Sequence, residues 1–409
     1  MKKWKRVTSV AAVSALAAAM LAGCGGSSSE GSAAASSAPA AATEAASAAE
    51  AGAAGGTWKF GAIGPLTGGA AAYGTAVVNG AQVAVDEINA AGGIAGAQVE
   101  LQGQDDELDA QKSVNAYNTL KDWGMQVLIG PTTSACSLAV SEYTKEDNMF
   151  QITPSGSAAD CVKYDNVFRV CFSDPAQGTA SAQYIGQNKL ATKVGIIYDS
   201  SDVYSSGIEQ NFVAEAANQG LEIVSEEAFT ADNKTDFSVQ LQKAKDGGAE
   251  LVFLPIYYTE ASLILSQANT MGYKPVFFGC DGLDGILTVE NFDTSLAEGT
   301  MLLTPFAADA TDDLTKTFVA TYQKNYNEIP NQFAADSYDA AYAIKAAIEK
   351  AGATPDQSVS DLCEALKPAM TEITVNGLTS DGMTWQASGE PNKDPKAVVI
   401  KDGAYVSAQ

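Results

Sequence analysis

Histidine is absent from all 409 residues. That excludes Ser-His-Asp and Cys-His nucleophile systems, His-ligated zinc and any imidazole base titrating near neutral pH. Positive charge is scarce too: 24 Lys and Arg stand against 49 Asp and Glu, a formal net charge of −25. Affinity for nucleic acid rests on cationic side chains that neutralise phosphates, so this balance argues against such a partner. It argues equally against electrostatic docking on an anionic membrane. Nucleotide loops are missing. No Gly-x-Gly-x-x-Gly follows the first strand pattern and no Gly-Lys-Ser/Thr occurs. Gly61-Ala62-Ile63-Gly64-Pro65 has the wrong spacing for a dinucleotide turn. The six cysteines include no Cys-x-x-Cys pair. Asp105-Asp106-Glu107 and Asp312-Asp313 lack a calcium-loop pattern and read as a solvated loop or a helix start. No metal, no cofactor and no enzymatic chemistry are expected.

The N-terminus reads as a targeting segment. Lys2, Lys3, Lys5 and Arg6 form a basic region, and Val7 to Leu21 is a mostly small, apolar stretch, short for a spanning helix. It ends Leu21-Ala22-Gly23-Cys24, which resembles a bacterial lipobox. The expectation is a signal peptide over 1–23 and a diacylglycerol on the Cys24 thiol. Cleavage there removes four cationic side chains and leaves a formal charge of −29. Residues 24–56 then form a low-complexity Ala/Ser/Gly tether whose only charges are Glu30, Glu44 and Glu50. With no large apolar side chain it cannot offset its ordering entropy. As a coil it would span about 30 Å.

From Trp58 onward, short apolar runs alternate with helical patterns. Strands are predicted at Trp58–Ile63, Val99–Gln104, Val127–Gly130, Phe150–Thr153, Val194–Tyr198, Leu221–Ser225, Leu251–Leu254, Val276–Gly279 and Met301–Thr304. Several are continuous hydrophobic runs, the pattern of parallel strands covered on both faces. Ala81, Val85 and Ile88 share one helix face; Ala110, Val114 and Tyr117 share another, with Asp109 as its N-cap. Further helices are predicted at Ser205–Gln219, Thr235–Lys245, Glu260–Met271, Asp313–Tyr326 and Ala334–Ala351. Alternation of this kind implies α/β architecture with doubly wound, Rossmann-like sheets. The folded part is too long for one such sheet, and the series restarts near Ser173-Asp174-Pro175-Ala176-Gln177-Gly178. Two facing lobes would hold a ligand between the carboxyl ends of their strands.

Several segments in order resemble the leucine/isoleucine/valine-binding protein family, the substrate-binding components of branched-chain amino acid ABC transporters. They are Gly64-Pro65-Leu66-Thr67-Gly68, Tyr73-Gly74, and Asp86-Glu87-Ile88-Asn89-Ala90-Ala91-Gly92-Gly93-Ile94-Ala95-Gly96. Asp105-Asp106, Ile129-Gly130-Pro131-Thr132-Thr133-Ser134 and Thr153-Pro154-Ser155-Gly156-Ser157 follow. Phe168-Arg169-Val170, Tyr198-Asp199 with Tyr204, and Gly279-Cys280-Asp281-Gly282 complete the set, which covers about 57–400. The resemblance implies a type I periplasmic binding protein with two lobes joined by a three-strand hinge. Lobe 1 would be 57–175 with a return over 306–391. Lobe 2 would be 176–305 with a terminal segment over 392–409 that includes Ala397–Ile400 and Ala404–Val406.

The implied ligand contacts have a physical logic. A free amino acid presents a carboxylate, an ammonium and a side chain. Ser134 follows a strand at a helix start, where unpaired N–H groups and the dipole favour an anion. Ser155 and Ser157 occupy the turn after the next strand, and the resemblance places carboxylate contacts at all three. Asp281 aligns with the family's ammonium-binding acid, which is commonly Glu, one methylene longer. Tyr73, Tyr204 and Tyr257 match aromatic positions, with Tyr258 a competitor for the last; tyrosine can wall a side-chain pocket or meet an ammonium with its ring face. Cys136 and Cys161 each follow a ligand loop and are a candidate disulfide outside the cytoplasm, buried free thiols being the alternative.

The expected function is capture of one amino acid by an extracytoplasmic, lipid-anchored, monomeric receptor and its delivery to an ABC permease. A sensor or binding protein for another small ligand, such as an aliphatic amide or an aromatic acid, is the alternative.

Overall fold

The computed structural model describes residues 56–408. The predicted signal segment, Cys24 and the tether through residue 55 lie outside the described residues. The described chain begins β1 (Thr57–Gly64), α1 (Ala71–Ala90), β2 (Gln98–Asp105), α2 (Ala110–Trp123) and β3 (Val127–Ile129). It continues with α3 (Ser134–Asp147), β4 (Phe150–Thr153) and β5 (Val167–Arg169). These strands form a five-stranded, wholly parallel sheet in the order β2-β1-β3-β4-β5.

A second series follows: α4 (Asp174–Gln187), β6 (Lys193–Asp199), α5 (Val203–Ala216), β7 (Glu222–Phe229) and α6 (Ser238–Gly247). Next come β8 (Leu251–Leu254), α7 (Tyr258–Thr270), β9 (Val276–Gly279) and β10 (Met301–Thr304). The chain then forms α8 (Asp313–Tyr326), α9 (Gln332–Ala351) and α10 (Val359–Met370), and ends in β11 (Lys396–Lys401) and β12 (Ala404–Ser407). The second sheet has seven strands in the order β12-β11-β10-β9-β8-β6-β7. Its last two strands run antiparallel to their neighbours and the rest are parallel. Helices α8 and α9 follow the second sheet's β10 yet pack against α1, and α10 packs on α9 and β4. The chain therefore passes between the two sheets three times: after β5, after β10 and before β11.

Strand alternation builds the core. In β1, Trp58, Phe60 and Ala62 face α1, whereas Ile63 joins Leu128 against Val114, Tyr117 and Leu120 of α2. In β8, Leu251 and Phe253 pack with Ile208 and Phe212 of α5, whereas Val252 and Leu254 meet the α6 and α7 side. Both sheets are thus covered on two faces, which is why their strands read as unbroken apolar runs.

Some elements depart from the sequence expectation. β5, α4 and α10 were not among the predicted strands and helices. α10 is announced by Ser358, which caps Asp361 N–H and whose hydroxyl meets the Asp361 carboxylate; this Ser-x-x-Asp pattern is a capping box. α5 begins at Val203 rather than Ser205 because Asp202 caps it, and residues 217–219 form a separate 3-10 turn. α6 begins at Ser238 rather than Thr235, where the Asp236 carboxylate accepts the Ser238 N–H in an Asx turn. Asp312 caps α8, and Asp106 is fully buried, accepting from Leu108 N–H and Ser113 Oγ. Cys136 and Cys161 are buried free thiols, as are Cys171, Cys280 and Cys363.

One buried charge network ties the crossing segments together. Lys393 Nζ, fully buried, lies 2.5 Å from Asp336 Oδ1, 2.7 Å from Thr379 Oγ1 and 3.0 Å from Val170 O. It joins the first and third crossings to α9.

Candidate functional site

The cleft is built from residues just beyond the carboxyl ends of β1, β3 and β4 in one sheet and β6, β8 and β9 in the other, the place where open α/β sheets bind ligands. A small cavity there is lined by Tyr73, Ser134 and Ser155 from one side and Tyr204, Tyr257 and Asp281 from the other. Thr132, Thr133, Gly282 and Phe333 complete its wall. Of the residues singled out from sequence, only Ser157 is not in that lining, and it stands one hydrogen bond away. The walls meet: the Tyr73 hydroxyl donates to the Gly282 carbonyl, and Thr259 Oγ1 donates to Gly69 O at 2.6 Å.

One end of the cleft is rich in donors. α3 starts at Ser134, its N-cap Thr133 makes no side-chain cap, and its first N–H groups carry the positive end of the helix dipole. Ser134 Oγ accepts the N–H groups of Ser157 and Ala158, each at 3.1 Å, which leaves its own proton free to donate. Ser155 Oγ donates to Thr132 O at 2.6 Å, so its contribution to the cleft is through the backbone. The Thr133 and Ser157 hydroxyls are buried without a partner. Arg169, fully buried, fixes this turn by donating to the carbonyls of Gly156, Ser157, Ala158 and Ala159 and to Glu390.

The other end is acidic. Asp281 is buried; its Oδ1 accepts the Tyr204 hydroxyl at 2.6 Å, and its N–H donates to Gln177 Oε1 at 3.2 Å. Burial pushes its carboxyl up to about 6, against the opposing hydrogen bonds from Tyr204 and Gln177. Asp174 is also buried, and neither of its carboxylate oxygens has a partner. Burial holds its carboxyl well above the usual carboxylate range, opposed by the neighbouring Ser157 side chain and reinforced by the charge of Asp281. One desolvated acid, Asp281, thus stands in the cleft opposite an array of donors, while Asp174 lies behind that array, its N–H donating to Ser157 O at 2.8 Å. That arrangement favours a cation at one end and an anion at the other.

Aromatic rings set the wall between these ends. Tyr204 and Tyr257 stack at 5.1 Å between centroids, and Tyr73 meets Tyr257 edge-on at 5.5 Å. Tyr257 lines this cleft, whereas Tyr258 turns away and accepts the Ala72 N–H at 3.2 Å. Two glycines allow close approach. A Cβ on Gly282 would lie 2.6 Å from Tyr204 Oη and 2.7 Å from Ile256 O; one on Gly74 would lie 2.2 Å from Pro65 O.

Sequence reasoning missed Thr133 and Phe333 in the cleft lining, and Gln177 and Asp174 in the layer behind it. Asp174 lies in the segment read as a lobe boundary, in the first turn of α4 behind the N-cap Ser173. An acid there is ordinary helix-start chemistry, and only the fold places it beside Asp281.

Comparison with known proteins agrees with this fold. A family model described as periplasmic binding protein matches residues 57–404. The Leu/Ile/Val-binding protein BraC3 of Rhizobium johnstonii is 33% identical over 326 residues, covering 79% of this chain and 87% of that one. A leucine-, isoleucine-, valine-, threonine- and alanine-binding protein of Pseudomonas aeruginosa is 27% identical, covering 80% and 86%. Among solved structures, the branched-chain amino acid transporter substrate-binding protein LivJ of Streptococcus pneumoniae, in complex with isoleucine, superimposes with a TM-score of 0.79 at 29% identity. That match covers 87% of this chain and 99% of the other. With its two facing α/β sheets, three crossings and a cleft at the strand ends, the chain belongs to the leucine/isoleucine/valine-binding family of type I periplasmic binding proteins.

Proposed function

We propose that the chain captures a free α-amino acid, with leucine, isoleucine or valine favoured, and delivers it to the permease of an ABC importer. The observation that carries this reading is the juxtaposition of buried Asp281 with the donor array around Ser134 and Ser157. The ligand carboxylate sits against Ser134, the Ser155 backbone and Ser157. The ammonium meets Asp281, with the Tyr73, Tyr204 and Tyr257 rings along the side chain. Relatives named for branched-chain amino acids support the ligand class. The lobes are 57–175 with 306–391, and 176–305 with 392–409; closure between them excludes water and strengthens both polar contacts. No step of this action makes or breaks a covalent bond.

Titration calorimetry with L-leucine tests the reading. Saturable one-to-one binding is expected above pH 7. The ammonium favours ionised Asp281, so binding lowers that carboxyl's pKa and releases a proton below about 6. Affinity therefore falls as pH drops through 6, by up to tenfold per pH unit. Affinity that rises on acidification would oppose the assignment.

The protein acts outside the cytoplasm, in keeping with its family. We place it on the membrane through a lipid on Cys24, as a monomer, since one chain supplies every cleft residue described. Cys24→Ser is expected to abolish incorporation of labelled palmitate; unchanged labelling would refute the anchor.

A further inference from the structure

A second cavity, of about 900 Å³, lies behind the wall of the cleft. Neighbouring residues divide between the two spaces. Tyr73, Tyr257, Gly282 and Phe333 line the cleft, whereas Ala72, Tyr258, Asp284 and Asn331 line the second cavity. Its floor is apolar, made by Leu302, Phe306, Val319 and Val398, with the buried ring of Tyr322 beside them. The volume is in the range of small-molecule sites. Its charge is of one sign. Asp284, only 6% exposed, stands in its wall, and Glu290, Asp309 and Glu328 stand exposed around it. No Lys or Arg contributes to the lining. Asp284 Oδ2 accepts only a backbone N–H, that of Gln332 at 2.9 Å, and no cation pairs with it among the described residues.

We infer that this cavity is a second ligand site, separate from the cleft, for a small organic monocation with an apolar tail. Apolar walls exclude a bare metal ion or a fully hydrated one, because such an ion needs several oxygen ligands at short range. Carboxylates and aromatic faces both reject anions and both favour an ammonium head. The tail lies over Leu302 and Phe306, and the head faces Asp284 and the surrounding acids. The inference does not depend on which amino acid enters the cleft.

The test is calorimetric titration of the purified chain at pH 7.5 with n-hexylammonium, hexanoate and 1-hexanol. Saturable hexylammonium binding is expected, at least tenfold tighter than either analogue. Ala308→Trp, which fills the cavity from a half-buried loop position, is expected to abolish it. Asp309→Asn with Glu328→Gln should weaken it about 3- to 10-fold, as befits partly screened charge contacts. Asp281→Ala, which removes the cleft's acid, should leave saturable hexylammonium binding in place. Hexanoate or hexanol binding as tightly as the amine would overturn the proposal. So would hexylammonium binding that survives Ala308→Trp in a protein with unchanged circular dichroism, or that disappears in Asp281→Ala. Absence of saturable heat at millimolar hexylammonium would overturn it too.

Discussion

Asp281→Ala is expected to weaken amino acid binding by roughly 30-fold to several thousand-fold, equivalent to about 2–5 kcal/mol. The variant leaves the ligand ammonium desolvated beside Tyr204, whose hydroxyl now lacks its acceptor. Asp281→Asn keeps the shape without the charge and should fall between Ala and wild type. The free protein should not suffer. Burial raises the Asp281 carboxyl in the folded state to about 6, above its unfolded value of about 3.9. A group shifted that way contributes stability below its unfolded pKa, and that contribution is lost as pH rises through 6. At neutral pH the ionised carboxylate is therefore a destabilising element retained for binding. Its removal should hold or raise the thermal midpoint, whereas affinity collapses. A variant with near-native affinity would remove Asp281 from the site.

Lys393→Met is expected to cause the largest loss of stability, about 3–5 kcal/mol, because it leaves Asp336 as a buried carboxylate without its partner. Lys393 and Asp336 are both essentially buried, at 0% and 2% side-chain exposure, so solvent screening does little to soften the loss. Burial pushes the Asp336 carboxyl up to about 6 even with Lys393 opposing the shift. Without Lys393 that carboxyl rises further, and protonation relieves the penalty, so the destabilisation should shrink at pH 5. Lys393→Met combined with Asp336→Leu should recover much of the loss, since an apolar pair avoids the stranded charge. Urea unfolding of the wild type and the two variants at pH 5 and pH 8 measures this; a Lys393→Met variant as stable as wild type would show that the network does not hold the crossings.

Much of the architecture is legible in the sequence because parallel strands carry their own signal. The predicted Phe150–Thr153, Leu251–Leu254, Val276–Gly279 and Met301–Thr304 coincide with β4, β8, β9 and β10. α4 is harder to read, because its buried face is made mostly of Asp174, Gln177, Gly178, Ser181 and Ala182, with Ile185 its one large apolar residue. Gly178 is small for a reason: a Cβ there would lie 2.3 Å from Ile208 O on α5. β5 is three residues long and leaves too short a pattern. Motif order gathers Tyr73, Ser134, Ser155, Tyr204, Tyr257 and Asp281 because each follows a strand end. Asp174 escapes because it sits in the first turn of a helix after a crossing, and the choice between Tyr257 and Tyr258 needs the helix start at residue 258 to be fixed. The second cavity draws on segments from Gly68 to Tyr405, and no local pattern could announce it.

The central claim is that the cleft recognises both charged ends of an amino acid. Calorimetry at pH 7.5 should compare L-leucine with isovalerate, which lacks the ammonium, and with isopentylamine, which lacks the carboxylate. A site with buried partners for both ends should bind each single-ended analogue at least 100-fold more weakly than leucine, since each strands one set of buried polar groups. Isovalerate or isopentylamine binding as tightly as leucine would contradict it.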